Sequence, residues 1–115
     1  MDLHYTQSFV LLESAQRTTN GVSNAVNVSE FKEGLIFLNV SAVAVVGTFN
    51  MKVQVSYDNV TWKDTDYAFA TIETLPSTYN PKPLSLLNFG KYIRVLYTIE
   101  DSGDYTFEVR FQGKS

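Results

Sequence analysis

The sequence predicts an all-β fold, an antiparallel β-sandwich of jelly-roll type with about eight strands. Apolar and polar residues alternate with a period of two in several short segments, and turn-forming residues separate these segments at close spacing. No segment has a sustained helical period. A chain of 115 residues, 44% of them hydrophobic, is long enough to build one core without disulfides or metal. We therefore expect a single sandwich domain over residues 1–115, in which residues 1–8 could form a flexible or docking arm.

The clearest strand signal is the segment 51–62. Apolar residues alternate with polar ones at Met51, Val53, Val55 and Tyr57. This is the pattern of a half-buried strand. Asp58 and Asn59 follow, and both tolerate positive backbone φ, which predicts a tight hairpin turn with the return strand starting at Val60. We expect Trp62, the single tryptophan, to close one end of the core beside Tyr57.

Three strands are predicted before this hairpin, at 5–12, 22–28 and 35–46. A polar loop separates the first two, and the strand at 22–28 is expected at a sheet edge. Residues 29–34 break the pattern and could form one helical turn capped by Ser29. The segment 35–46 is the most apolar of the chain, which indicates a central strand covered on both sides for part of its length.

After Trp62 the sequence predicts a charged bend at 63–66 and a strand continuing to about 71. Residues 72–90 hold all three prolines and, apart from the periodic stretch 84–89, are expected to form a long ordered loop. Clear alternation returns at 91–99 and 105–111, on either side of the polar turn 100–104, and predicts a second hairpin. The two hairpins are expected to share one core made of Val53, Val55, Trp62, Val95, Tyr97, Phe107 and Val109.

Composition argues against several classes of function. There is no cysteine, and His4 is the single histidine, so neither a thiol nucleophile nor a Ser-His-Asp triad is expected. The net charge is −3 and the nine Lys and Arg residues are scattered, which argues against a nucleic-acid partner. No apolar run is long enough to cross a membrane, and no secretory signal is visible at the amino terminus. We expect synthesis in the cytoplasm.

The acidic residues are explained by turns. Asp58, Asp64, Asp66, Asp101 and Asp104 all fall where aspartate commonly hydrogen-bonds its own backbone. A calcium site shared by two loops is the alternative, although the sequence from Asp64 to Asp66 lacks the glycine and distal glutamate of an EF-hand loop. Paired carboxylates could in principle hydrolyse glycosides, but a small sandwich has too little surface to form the walls of a substrate cleft. We therefore expect no enzymatic activity, no cofactor and no metal.

Apolar residues in polar surroundings mark the candidate partner-binding site. Tyr92 and Leu96 lie on the strand face opposite Ile93 and Val95, where polar residues would be expected. Tyr79 and Pro81 are further candidates in the proline loop. The alternative is that Tyr92 and Leu96 form a minor core beneath this loop.

Three stretches within residues 50–114 share one order: a strand, turn and tryptophan at 53–62, the Lys-Tyr-Ile-Arg-Val strand at 91–95, and Ser-Gly-Asp-Tyr-Thr-Phe at 102–107. In this order they resemble small virion proteins of tailed bacteriophages. The first two also resemble discoidin-like carbohydrate-binding sandwiches. In this chain Asp58-Asn59 replaces the usual Asp-Gly turn, and no aromatic cluster matches a sugar platform residue by residue.

The phage resemblance implies a structural protein, either a head decoration or cement protein or a tail-associated subunit. Such a protein would bind the major capsid protein or another virion protein, often as a symmetric homo-oligomer, with a trimer favoured. It would be located in the virion and would need no cofactor. The discoidin-like resemblance implies a carbohydrate-binding module instead.

Overall fold

The computed structural model describes residues 6–72, 81–87 and 89–115, and all regular structure in these ranges is β-strand. In chain order the strands are β1 (Thr6–Arg17), β2 (Gly21–Val22), β3 (Val26–Asn27), β4 (Glu33–Val45), β5 (Phe49–Ser56), β6 (Lys63–Ile72), β7 (Leu84–Leu86), β8 (Tyr92–Ile99) and β9 (Asp104–Lys114).

The strands form two antiparallel sheets. The four-stranded sheet has the order β1-β9-β4-β7, and the five-stranded sheet has the order β2-β8-β5-β6, with β3 also paired to β8. The predicted all-β sandwich is therefore confirmed, with nine strands in the described residues where about eight were expected. The predicted edge segment 22–28 contributes the short strands β2 and β3 beside β8.

The core lies between the two sheets. The ring of Phe107 on β9 lies 5.3 Å, centroid to centroid, from the rings of both Phe49 on β5 and Tyr97 on β8. These edge-on contacts join the central strands of the two sheets. The fully buried residues of greatest volume come from both sheets and include Leu11, Ile36, Leu38, Phe49, Met51, Leu86, Ile93, Tyr105, Phe107 and Phe111.

The predicted core membership is correct except around the β5–β6 connection. Val53, Val95, Tyr97, Phe107 and Val109 are buried, and Val55 packs against them while partly exposed. Trp62 is only half-buried and Tyr57 is exposed, so the prediction that this pair closes the core was wrong. The physical reason is that β5 ends at Ser56 and a six-residue loop follows, which replaces the tight turn and takes Trp62 to the outer face of the sheet.

The second predicted hairpin does not form, because β8 and β9 belong to different sheets. Alternation shows which side chains of a strand face the core. The same alternating pattern is found whether two successive strands pair within one sheet or lie in opposite sheets across the core, so it does not predict a hairpin. The connecting turn has positive φ at Asp101 and Ser102, and the Gly103 N–H donates to the Glu100 carbonyl at 3.1 Å. This turn takes the chain from one sheet to the other.

A second crossing between the sheets is the β4–β5 connection at Gly47. Its N–H donates to the Tyr105 hydroxyl at 2.9 Å, and that hydroxyl donates back to the Gly47 carbonyl. A Cβ at position 47 would lie 2.2 Å from the carbonyl oxygen of Glu100, so only glycine fits here. The two crossings are therefore in direct contact.

β1 is longer than predicted and pairs with β9 along its length. Its first residues, Thr6–Ser8, fall in the predicted strand 5–12 as well as in the possible arm 1–8, and they pair with Lys114, Gly113 and Gln112. Two register shifts interrupt the pairing. Near the shifts the Arg17 guanidinium donates to the carbonyls of Glu13, Ala15 and Phe107, which compensates for lost strand hydrogen bonds.

β4 is covered on both sides only in its first half. β9 pairs along it from Glu33 to Val45, whereas β7 pairs only with Gly34–Ile36. Beyond Ser41 most of its side chains are exposed, including Val45. The segment before it forms a β-turn in place of the expected helical turn, with the Phe31 N–H donating to the Val28 carbonyl at 3.0 Å.

Candidate functional site on the outer face of the five-stranded sheet

The outer face of β8 carries two of the predicted site residues. Ile93, Val95 and Tyr97 are buried and point to the core. Because side chains alternate along a strand, Tyr92 and Leu96 share the opposite face, with Arg94 between them. All three are half-buried. The structure therefore brings Tyr92 and Leu96 onto one surface, as predicted.

A chain of polar contacts crosses this face from β8 to β6. The Nε of Arg94 donates to the Oε1 of Gln54 at 2.8 Å, and the Nε2 of Gln54 donates to the Oδ1 of Asp64 at 2.8 Å. Lys52 completes the chain, since its Nζ lies 2.9 Å from the Oδ2 of Asp64. The hydrogen bonds from Gln54 and then Lys52 lower the pKa of Asp64. These partners fix the long side chains at the centre of the face.

Trp62 covers one end of the polar chain. The guanidinium carbon of Arg94 lies 4.1 Å from the centroid of the Trp62 ring, which is a close cation–π contact. This contact holds the tryptophan against the outer face of the sheet rather than in the core.

A shallow concavity lies beside Arg94 on the same face. Its volume is about 350 Å³, and its lining residues are Asn50, Met51, Lys52, Ala68, Phe69, Leu96 and Thr98. The wall that Leu96 and Ala68 contribute is apolar, and Lys52 is the one charged residue among those that line it. The concavity can therefore accept an apolar group next to an anion.

Beside this face lies the connection between β5 and β6, residues 57–62, which we call the 57–62 loop. The Oδ1 of Asp58 accepts hydrogen bonds from the N–H groups of Val60 and Thr61 at 2.9 and 2.7 Å. The Ser56 hydroxyl accepts from the N–H groups of Asp58 and Asn59, and Asn59 adopts a φ of 65°. These contacts fix the backbone of the loop.

The electrostatics of the loop follow from these hydrogen bonds. Donation from the backbone N–H groups of Thr61 and Val60 lowers the pKa of Asp58 to about 2, so this carboxylate is charged at neutral pH. The loop also presents two apolar side chains to solvent, since Tyr57 is 72% exposed and Val60 is 80% exposed.

The other predicted residues do not join this surface. Pro81 is half-buried and precedes β7, which belongs to the four-stranded sheet. Tyr79 and His4 lie outside the described residues.

Sequence reasoning missed the Arg94–Trp62 contact and the exposure of Tyr57 and Val60. The available signal was the polar pair Asp58-Asn59, which fits a six-residue loop as well as a tight turn.

The described residues contain no group of three His, Cys, Asp or Glu side chains placed to hold a metal ion. In the same part of the chain, no helix has the length and apolar character that crossing a membrane requires.

No family model and no curated protein matches this sequence. Among solved structures, the chain is similar to the SPBc2 prophage-derived protein YomS, with a TM-score of 0.61 and 16% sequence identity. The match covers 100% of this chain and 97% of that one. At this level of identity the likeness shows that the two proteins share a fold.

Proposed function

We propose that this chain is a non-enzymatic structural protein of a bacteriophage virion, and specifically a capsid decoration or cement protein that binds the head lattice. The observation that carries the proposal is the full-length match in fold to a prophage-derived protein. The resemblance of residues 50–114 to small virion proteins supports the same class, and it rests on the sequence rather than on the fold.

The chemistry of the candidate site favours binding over catalysis. Its carboxylate, Asp64, is engaged by Gln54 and Lys52, and Arg94 is held by Gln54 and Trp62. Side chains fixed in this way form a surface of constant shape, which lowers the entropy lost on association. Tyr92 and Leu96 add apolar area to that surface.

We also propose that the protein acts as a homo-oligomer, with a trimer favoured by the phage resemblance, and that the outer face of the five-stranded sheet is the assembly surface. An oligomer binds a repeating lattice through several contacts at once, so avidity strengthens attachment even when each contact is weak.

Co-sedimentation with assembled phage heads tests the proposal. Wild-type protein should pellet with heads, and Tyr92→Asp should pellet less, because a charge on the assembly surface separates the subunits and removes avidity. Ala44→Asp is the matched control, since Ala44 is exposed on β4 of the other sheet. It should pellet like the wild type.

Two results would contradict the proposal. Wild-type protein that stays in the supernatant with both heads and tails would remove the virion assignment. Binding to polysaccharides but not to heads would support the carbohydrate-binding module instead.

A further inference from the structure

The 57–62 loop has the properties of a preformed contact. Tyr57 and Val60 are both largely exposed, and the hydrogen bonds of Ser56 and Asp58 fix the backbone that carries them. Single exposed apolar residues are common on protein surfaces, but here two lie within four residues on a rigid support. Docking such a loop orders little that is not already ordered.

Two polar side chains of the loop, those of Asp58 and Thr61, are used internally, which indicates the kind of partner. Asp58 accepts from Val60, Thr61 and Ser56, and the Thr61 hydroxyl also bonds to Asp58. Sugars are recognised largely through hydrogen bonds, and these side chains have little capacity left to make them. The loop offers apolar surface instead, so its partner is an apolar recess on a protein.

The concavity on the outer face of the sheet is a recess of this kind on the same chain. Leu96 and Ala68 give it an apolar wall, and its volume of about 350 Å³ lies within the range of sites that enclose small groups. It lies at Lys52, four residues before Ser56 on β5, and a regular strand of roughly 13 Å therefore separates it from its own loop. The loop and the concavity are thus separate surfaces.

The charges of the two surfaces are complementary. Asp58 is the one charged residue in the 57–62 loop, and Lys52 is the one charged residue among those that line the concavity. Lys52 pairs with Asp64, but an ammonium group has three hydrogens to donate, so it can also face a second carboxylate. Complementary charge steers association and fixes its orientation.

We propose that the 57–62 loop of one copy inserts Tyr57 and Val60 into the concavity of a second copy. Because the two surfaces differ, two arrangements are possible. In a twofold-symmetric dimer each copy inserts its loop into the concavity of the other, and in a ring each copy inserts its loop into the next copy, head to tail. The inference rests on the homo-oligomer of the proposed function and specifies how its subunits meet.

Mixing two variants tests the contact. Tyr57→Ser/Val60→Ser removes the apolar tip of the loop, and Ala68→Trp fills the concavity. Self-association of each variant alone should be weaker than that of the wild type by a factor of roughly ten or more, as expected for loss of a central apolar contact. An equimolar mixture should form a one-to-one complex, because it still combines one intact loop with one intact concavity.

Masses are measured by sedimentation velocity over a range of concentrations, and circular dichroism melts check that each variant is folded. Ala44→Trp, which adds the same bulk to the other sheet, is the matched control and should associate like the wild type. The inference is overturned if either variant self-associates normally or if the folded variants form no complex on mixing. A wild-type protein that is monomeric at all concentrations also overturns the inference. Binding to the capsid, which the proposed function requires, is tested separately by co-sedimentation with heads.

Discussion

The hydroxyl group of Tyr105 bonds to both backbone polar groups of Gly47, accepting from its N–H at 2.9 Å and donating to its carbonyl oxygen. Tyr105 is buried on β9 of the four-stranded sheet, and Gly47 lies where the chain crosses to the five-stranded sheet. One side chain therefore satisfies a buried piece of backbone that belongs to neither sheet. This contact ties the two sheets together at one end.

Tyr105→Phe should lower the free energy of unfolding by about 1 to 3 kcal/mol, because it leaves the buried N–H and carbonyl of Gly47 without partners. Chemical denaturation measures the change. Tyr57→Phe is the control, since it removes the same atom from an exposed side chain, and its effect should stay within about 0.5 kcal/mol. Equal effects of the two substitutions would contradict the role assigned to Tyr105.

Phe107→Ala should cost about 3 to 5 kcal/mol, the usual cost of truncating a fully buried aromatic. If Trp62 closed the core, as the sequence predicts, Trp62→Ala would cost as much. Because Trp62 packs on the outer face against Arg94, we now expect roughly 1 kcal/mol for that substitution. A Trp62→Ala protein as unstable as Phe107→Ala would place Trp62 back in the core.

Asp58 should contribute to stability in a defined pH range. Its pKa in the folded protein is about 2, below the ordinary value of 3.8, because backbone N–H groups of Thr61 and Val60 bond to the carboxylate. A lowered pKa means that the charged form favours folding. The contribution is complete above about pH 4 and is lost as the pH falls towards about 2.

Urea unfolding of wild type and Asp58→Asn, measured from neutral pH down to about pH 2, checks this expectation. The variant should be less stable at neutral pH, and the difference should shrink between about pH 4 and 2. Asp66→Asn is the control, because the Asp66 side chain makes no hydrogen bond to any described residue. A constant difference across this pH range would exclude the proposed linkage.

Calcium should not change the stability of the protein. Apart from Asp66, the acidic residues that the sequence assigned to turns already have partners; for example, Asp101 accepts from Thr48 and Asp104 accepts from Gln16. Thermal melts recorded with calcium and with a chelator should therefore coincide. A rise of several degrees in calcium would reveal a native-state site and would favour the carbohydrate-binding alternative.

The sequence predicted the inward faces of β5, β8 and β9 because alternation depends only on the local chain. Val95 and Phe107 were placed correctly for that reason. It did not predict the partner strands, since the choice between a hairpin and a crossing depends on contacts such as that of Gly47 with Glu100, which are distant in sequence.

For the candidate site, the outward position of Tyr92 and Leu96 followed from alternation with Ile93. The position of Trp62 did not, because it depends on loop length and on an arginine of another strand. Residue type was misleading here, as tryptophan is usually well buried. The sequence did not predict the concavity either, since its lining residues come from three strands that only sheet pairing brings together.

The pairing of Thr6 with Lys114 has a mechanical consequence. β1 and β9 run antiparallel side by side, so the points where the chain enters and leaves the described fold are neighbours on one sheet. A pulling force applied between these points would separate β1 from β9. The hydrogen bonds between the two strands would break one residue pair at a time, starting at Thr6 and Lys114, because the force acts on one pair before the next. When pulled by these two strands, the described fold would therefore open first at β1.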